Sequence, residues 1–263
     1  MAAATVMFFT TAVQAEDLSL YGAGSLKEVM TEITKTFGAK ERLTVKTAFG
    51  PSGLMRERIE NGEKVDVFTS ADMGHPLKLR SDGRATRVAM FTRNALCAIA
   101  KPAVGLTTEN FLAKLLDAGV KVGTSTPGAD PAGDYTWAMF RLAEANKPGS
   151  YAILDAKARQ IVGGPTTNAD VGGTDPTIAA LADGRVDMVL GYCTSGRLRL
   201  SQMPGLDVVQ IPAALRVGPE YGLAVLKDAA PKADDLAFFI LSPEGQQILA
   251  NYGFNPVGLP GGH

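Results

Sequence analysis

Leu18-Ser-Leu-Tyr-Gly-Ala-Gly-Ser25 is a strand-like apolar run that breaks at glycine and serine, and a helix-periodic segment, residues 26–37, follows at once. The same pattern recurs twice. Phe49-Gly-Pro-Ser-Gly53 precedes residues 54–59, and Thr124-Ser-Thr-Pro-Gly-Ala-Asp-Pro-Ala-Gly133 precedes residues 135–142. In the first helix Leu26, Val29, Met30, Ile33 and Phe37 share one face. Strands that alternate with helices in this way predict parallel, doubly wound α/β sheets. A helix start presents unpaired N–H groups and the positive end of a macrodipole, so each loop can hold an anion. None of the three loops carries Lys or Arg. That points to capture of an anion by neutral donors, with no chemistry done on it.

Further strand candidates are residues 44–49, 65–69, 95–100, 121–123, 186–191, 208–211 and 222–226. A last helix begins at Ser242-Pro-Glu, with Ser as N-cap and Pro at the first helical position. No repeat, low-complexity tract or long linker interrupts the chain, which suits two α/β lobes joined by strands. At the start, Val6-Met-Phe-Phe9 and Val13-Gln-Ala15 resemble the apolar region and cleavage site of a secretory signal, with cleavage expected after Ala15. The run is too short to cross a bilayer.

Formal net charge is −1 and the apolar fraction 46%. There is no basic stripe for nucleic acid, so no such partner is expected. Cys97 and Cys193 both fall in apolar strand-like segments. In an oxidising compartment they pair if those strands are neighbours; otherwise they are two buried thiols. No Cys/His spacing suggests a metal, and no cofactor is expected.

Each polar loop residue also has a plain structural explanation. Ser25-Leu-Lys-Glu28 reads as a capping box, and Ser52 and Thr126 are equally placed to cap. The loop glycines serve turns, or admit a ligand to the backbone. Neither loop fits GxxxxGK[ST], and Gly-Ala-Gly-Ser-Leu-Lys lacks the GxGxxG spacing. Catalysis is poorly served. Of two histidines, His263 is terminal, leaving His75 as the sole imidazole base, and no GxSxG elbow or SxxK motif occurs. Asp130, Asp134 and Asp175 must point away from a bound anion or cap a helix; pointing inward, they would suit a cation.

Gly24-Ser25-Leu26, Phe49-Gly-Pro-Ser52, Val65-Asp-Val-Phe-Thr-Ser-Ala-Asp72, Asp130-Pro-Ala-Gly133, Gly191-Tyr192 and Leu241-Ser-Pro-Glu-Gly-Gln-Gln-Ile248 occur in that order. Together with Asn251-Tyr-Gly-Phe254, the series resembles the periplasmic molybdate-binding proteins of ABC importers. The resemblance implies the two-lobed type II fold of periplasmic binding proteins, each lobe a mixed, mostly parallel sheet flanked by helices. Lobe I would comprise residues 16–91 and 196–263, and lobe II residues 92–195. Closure would hinge near residues 91–97 and 191–195. Molybdate or tungstate would be held by the hydroxyls of Ser25 and Ser52, the amide of Ala132 and the hydroxyl of Tyr192. A further amide would come from Thr174, with Val171 as the alternative. The partner would be a membrane permease, the state monomeric, and the location the periplasm. Departures from the family pattern leave other ligands open: sulfate, phosphate, a metal ion or a small organic anion. A serine hydrolase using Ser25 or Ser52 is the reading from another class.

Overall fold

The computed structural model describes residues 17–167 and 174–259, so the expected signal segment and Val171 lie outside the described residues. The chain begins with β1 (Leu18–Ala23), α1 (Lys27–Glu41), β2 (Val45–Gly50), α2 (Ser52–Glu60), β3 (Val67–Ser70), α3 (Gly74–Ser81) and β4 (Ala85–Arg93). It continues through β5 (Leu96–Ala100), α4 (Phe111–Leu116), β6 (Val122–Ser125), α5 (Pro131–Asn146), α6 (Ser150–Lys157), β7 (Arg159–Val162), α7 (Pro176–Ala182), β8 (Met188–Tyr192), α8 (Cys193–Gln202) and β9 (Asp207–Gln210). β10 (Glu220–Leu226), α9 (Ala233–Leu241), α10 (Pro243–Asn251) and β11 (Asn255–Pro256) complete it.

These elements form two α/β lobes, each built on one sheet. The first sheet runs β11-β4-β10-β3-β1-β2 and the second β7-β6-β8-β5-β9. β1 pairs parallel with β2 and β3, and β6 with β7 and β8. β10 and β5 pair antiparallel with both of their neighbours. The sheets are therefore mixed, with β5 and β10 running against the strands on either side of them. The reason is geometric: β5 and β10 each arrive from the other lobe, so they enter at the edge where the native strands end.

The same pairing relocates the second crossing. β9 bonds to β5, with Gln210 opposite Cys97, and a Cβ on Gly196 of α8 would touch Ile99 and Val208. Residues 196–210 thus belong to the second lobe, and the return lies between Gln210 and Glu220, not at residues 191–195. The first crossing, Asn94-Ala95, falls within the expected segment.

Local expectations hold where burial follows sequence period. Leu26, Val29, Met30, Ile33 and Phe37 are all buried, as one apolar face of α1 requires. Ser242 caps α10, accepting from the Gly245 amide at 3.3 Å. β4 escaped the sequence reading because exposed Thr86, Arg87 and Arg93 break its apolar pattern. Among the described helices none is long and apolar enough to cross a membrane.

The lobes also touch away from the crossings. The Gly53 amide, in the first turn of α2, donates to the Ala129 carbonyl of the other lobe at 2.9 Å. A Cβ on Gly53 would stand 2.7 Å from the carbonyl oxygens of Gly128 and Ala129, closer than atoms tolerate, so this approach requires glycine.

Cys97 and Cys193 are joined, Cα to Cα 4.9 Å, across a sequence separation of 96. The bridge ties β5 to the first residue of α8 and encloses most of the second lobe. Thiol titration of the denatured, unreduced protein should find no free cysteine, and replacing both by Ala should cost about 2–4 kcal/mol of stability. Two titratable thiols would contradict the bridge. Gly53→Ala should hold the lobes further apart, read as a larger radius of gyration in solution scattering. Its thermal stability should stay level or rise, because Ala favours a helix over Gly by about 1 kcal/mol. An unchanged radius would show that this contact does not keep the lobes together.

Candidate functional site

Between the lobes lies a cleft of about 1040 Å³, bounded by the carboxyl ends of β1, β2 and β8 and by the helix starts that follow them. Open α/β sheets bind ligands at such ends. Ser25, Ser52, Ala132, Thr174 and Tyr192 all line this one space. The structure brings together residues from five separate segments of the chain, at strand ends and helix starts.

On the first lobe, a short 3₁₀ turn over Gly24–Leu26 precedes α1, and no side chain caps either. The capping-box explanation of Ser25 is therefore corrected. Its Oγ lies 3.1 Å from the Tyr221 hydroxyl, fixed at the cleft wall by a residue of β10. Ser52 is not a cap either, since Pro51 holds the N-cap position. Buried to 1% exposure, its Oγ accepts from the Ala71 amide at 3.1 Å. That leaves the Ser52 proton to donate elsewhere. Thr126 instead donates to the Val162 carbonyl.

The second lobe departs from expectation at Ala132. Asp130 is the N-cap of α5, and its Oδ1 accepts from the Ala132 amide at 3.0 Å. The amide expected to face a ligand is thus satisfied within the protein. Asp130 Oδ2 accepts from Ser125 Oγ at 2.7 Å, and the residue lines the cleft. Burial pushes its carboxyl up, while the bonds from Ser125 and Ala132 pull it back. Asp175 caps α7, accepting from Thr177 at 2.7 Å, and its other oxygen pairs with Arg199 Nε at 2.9 Å. Asp134 turns away to the Gly128 amide.

Tyr192 ends β8 with its ring against Tyr221, centroids 5.5 Å apart. Its hydroxyl is buried and, among the described residues, without a hydrogen-bond partner of normal geometry, as is Thr177 Oγ1 on the same wall. Burial drives the Tyr192 hydroxyl well above its usual range, so it stays protonated and able to donate. Thr174 is exposed at the rim.

Cations also reach the cleft, contrary to the reading of its loops: Lys27, Arg197 and Arg199 line it. Arg199 is already paired with Asp175. His75 is not among the lining residues. It is buried on α3 with Nδ1 3.1 Å from an Arg56 guanidinium nitrogen. Burial depresses it, with Asp72 opposing. The residues that sequence reasoning missed are Tyr221, Asn94, Thr177 and Arg199. Tyr221 carries a polar group at the start of the apolar run of β10, which was the available signal for it; Asn94 lies between β4 and β5 and gave none.

The model of the family described as bacterial extracellular solute-binding protein matches residues 18–255. An uncharacterised protein of Pasteurella multocida (strain Pm70) is 34% identical over 242 residues, 91% of this chain and 99% of that protein. The periplasmic molybdate-binding protein of Azotobacter vinelandii superposes with a TM-score of 0.71 at 19% identity, covering 93% of this chain and 100% of that one. The sulfate-binding protein SubI of Mycobacterium tuberculosis gives 0.76 at 15% identity, covering 92% and 87%. These two likenesses establish a shared two-lobed fold. On the match to nearly its whole described length, the chain belongs to the bacterial extracellular solute-binding proteins.

Proposed function

We propose that this protein is the exported, periplasmic binding component of an ABC importer, and that it captures a tetrahedral oxyanion of the molybdate or tungstate kind in its cleft. It would act as a monomer, without turnover, and hand the anion to a membrane permease. The observation that carries the reading is the Tyr192 hydroxyl, buried on the cleft wall and, among the described residues, without a hydrogen-bond partner of normal geometry. A buried donor left unpaired costs about 1–3 kcal/mol, which a ligand oxygen relieves. Ser25 and Ser52 face the same space from the other lobe; Ser52 Oγ accepts within the protein and keeps its proton for a ligand, and Ser25 shares with Tyr221 a hydrogen bond in which either hydroxyl can donate. Neutral donors suffice for a dianion because the helix starts add their dipoles and lobe closure excludes water. The fold-mates that bind molybdate and sulfate support this ligand class.

One observation favours a second reading. The cleft is larger than a single tetrahedral ion needs, and Lys27, Arg197 and Arg199 stand on its wall. A small organic anion, phosphorylated or carboxylated, would use both features.

A thermal-shift screen against molybdate, tungstate, sulfate, phosphate, small phosphate esters and carboxylates separates the two, because a ligand that binds only the folded state stabilises it by RT ln(1 + [L]/Kd). Molybdate and tungstate are expected to give the largest shifts; a shift with organic anions alone would establish the second reading. Ser25→Ala and Ser52→Ala should each weaken oxyanion binding by about 1–3 kcal/mol in calorimetry. Unchanged affinity in both would remove these serines from the site.

A further inference from the structure

Helix α8 forms much of one cleft wall yet has little core beneath it. Most of its residues from Thr194 to Gln202 line the cleft, and Gly196 is its only fully buried residue. Gly196 sits close on β5 and β9, where a Cβ would stand 3.1 Å from Val208 and 3.4 Å from Ile99. Leu200 adds a half-buried contact to the same cluster. A helix draws most of its stability from the apolar face it packs, and α8 packs little.

Its mooring is at the first turn. The Cys193 amide donates to the Ala95 carbonyl at 2.9 Å, the Asn94 side-chain amide donates to Thr194 Oγ1 at 2.9 Å, and Cys193 is bonded to Cys97 of β5. Further along, Arg199 pairs with Asp175. Each hydrogen bond contributes only about 1 kcal/mol net, so the covalent link decides whether the turn stays seated. The bridge also stands at the foot of both connections between the lobes. Cys97 is the second residue of β5, just past the first crossing, and pairs with Gln210, the last residue of β9 before the second. Tyr192, the residue before Cys193, carries the buried hydroxyl on the cleft wall.

Resting on the capture of an oxyanion in this cleft, we propose that the Cys97–Cys193 bridge moors Tyr192 and the α8 wall, so that tight binding needs the oxidised pair and reduction weakens the hold on the ligand. Both cysteines are positioning residues that act through Tyr192 and α8. Cys193 is half-buried and Cys97 fully buried, so the thiolate of an external dithiol attacks Cys193 Sγ. The S–S bond breaks, Cys97 leaves as a thiolate and takes up a proton, and the second thiol of the reductant resolves the mixed disulfide. The protein gains two electrons and two protons, and the dithiol is oxidised to a disulfide.

Hydrogen exchange and calorimetry with molybdate test this on three forms of the full chain. They are the oxidised protein, the protein reduced with dithiothreitol and then desalted without air (thiols complex molybdate), and the double variant Cys97→Ser, Cys193→Ser. In both bridgeless forms the amides of residues 193–202 should exchange about tenfold faster or more, while those of β6 keep their protection. Molybdate affinity should fall about tenfold, as for a wall that is competent about a tenth of the time. Reoxidation of the reduced wild type should restore it. Unchanged exchange in α8 would overturn the proposal whether or not molybdate binds, and so would bridgeless protein that binds molybdate as tightly as the oxidised form. Exchange that rises equally in β6 would also overturn it, because the bridge would then serve only the stability of the whole lobe. Oxidised protein that binds no oxyanion, with exchange in α8 still governed by the bridge, would overturn the oxyanion reading and not the mooring of α8.

Discussion

The side chain of Asn94 holds the two halves of this molecule in register. It sits where the chain leaves the first sheet, 5% exposed. Its amide donates to Thr194 of the second lobe at 2.9 Å and to the Tyr221 hydroxyl of the first at 3.1 Å, while its oxygen accepts from the Ala95 amide. A buried amide with every group satisfied is rigid, and each lost bond leaves an unpaired dipole out of reach of water. Tyr221 passes the contact on to Ser25. A continuous run of hydrogen bonds therefore links a cleft hydroxyl on one lobe, the crossing segment between β4 and β5, and the first turn of α8 on the other lobe.

The cleft handles charge by pairing and by dipoles more than by free cations. Arg199 and Asp175 neutralise each other, and Asp175 also caps α7. Asp130 has the same double use, capping α5 and anchoring Ser125. Carboxylates at helix N-termini stabilise the helices and also consume their anion-binding potential. On the second lobe the Tyr192 and Thr177 hydroxyls line the cleft, while the Ala132 amide is taken by Asp130. On the first lobe no side chain caps α1 or α2, although Glu28 stands in the first turn of α1, so the two walls of the cleft are not equivalent.

How far the sequence reached depended on whether a residue's environment was local. The apolar face of α1 and the Ser242 cap of α10 were legible because their partners lie within a few positions. β4 and α8 were not. β4 carries exposed Thr and Arg residues, and α8 buries only Gly196, so neither shows the period that marks an amphipathic element. Ser25 shows the limit most clearly. Its neighbours spell a capping box, yet its hydroxyl is claimed by a tyrosine 196 positions away.

The sequence by itself determined the strand–loop–helix units, the alternation that makes an α/β protein, and the set of small polar residues at the loop tips. Those features depend on backbone propensity and period, which act over a few residues. Only the tertiary structure decided that five distant segments converge on one cleft and that two cysteines 96 residues apart are joined. It also decided that the second crossing follows β9, and that the Ala132 amide belongs to Asp130. Each of these turns on which strands become neighbours. Strand order is set by burial of the whole core, a quantity no short stretch of chain contains.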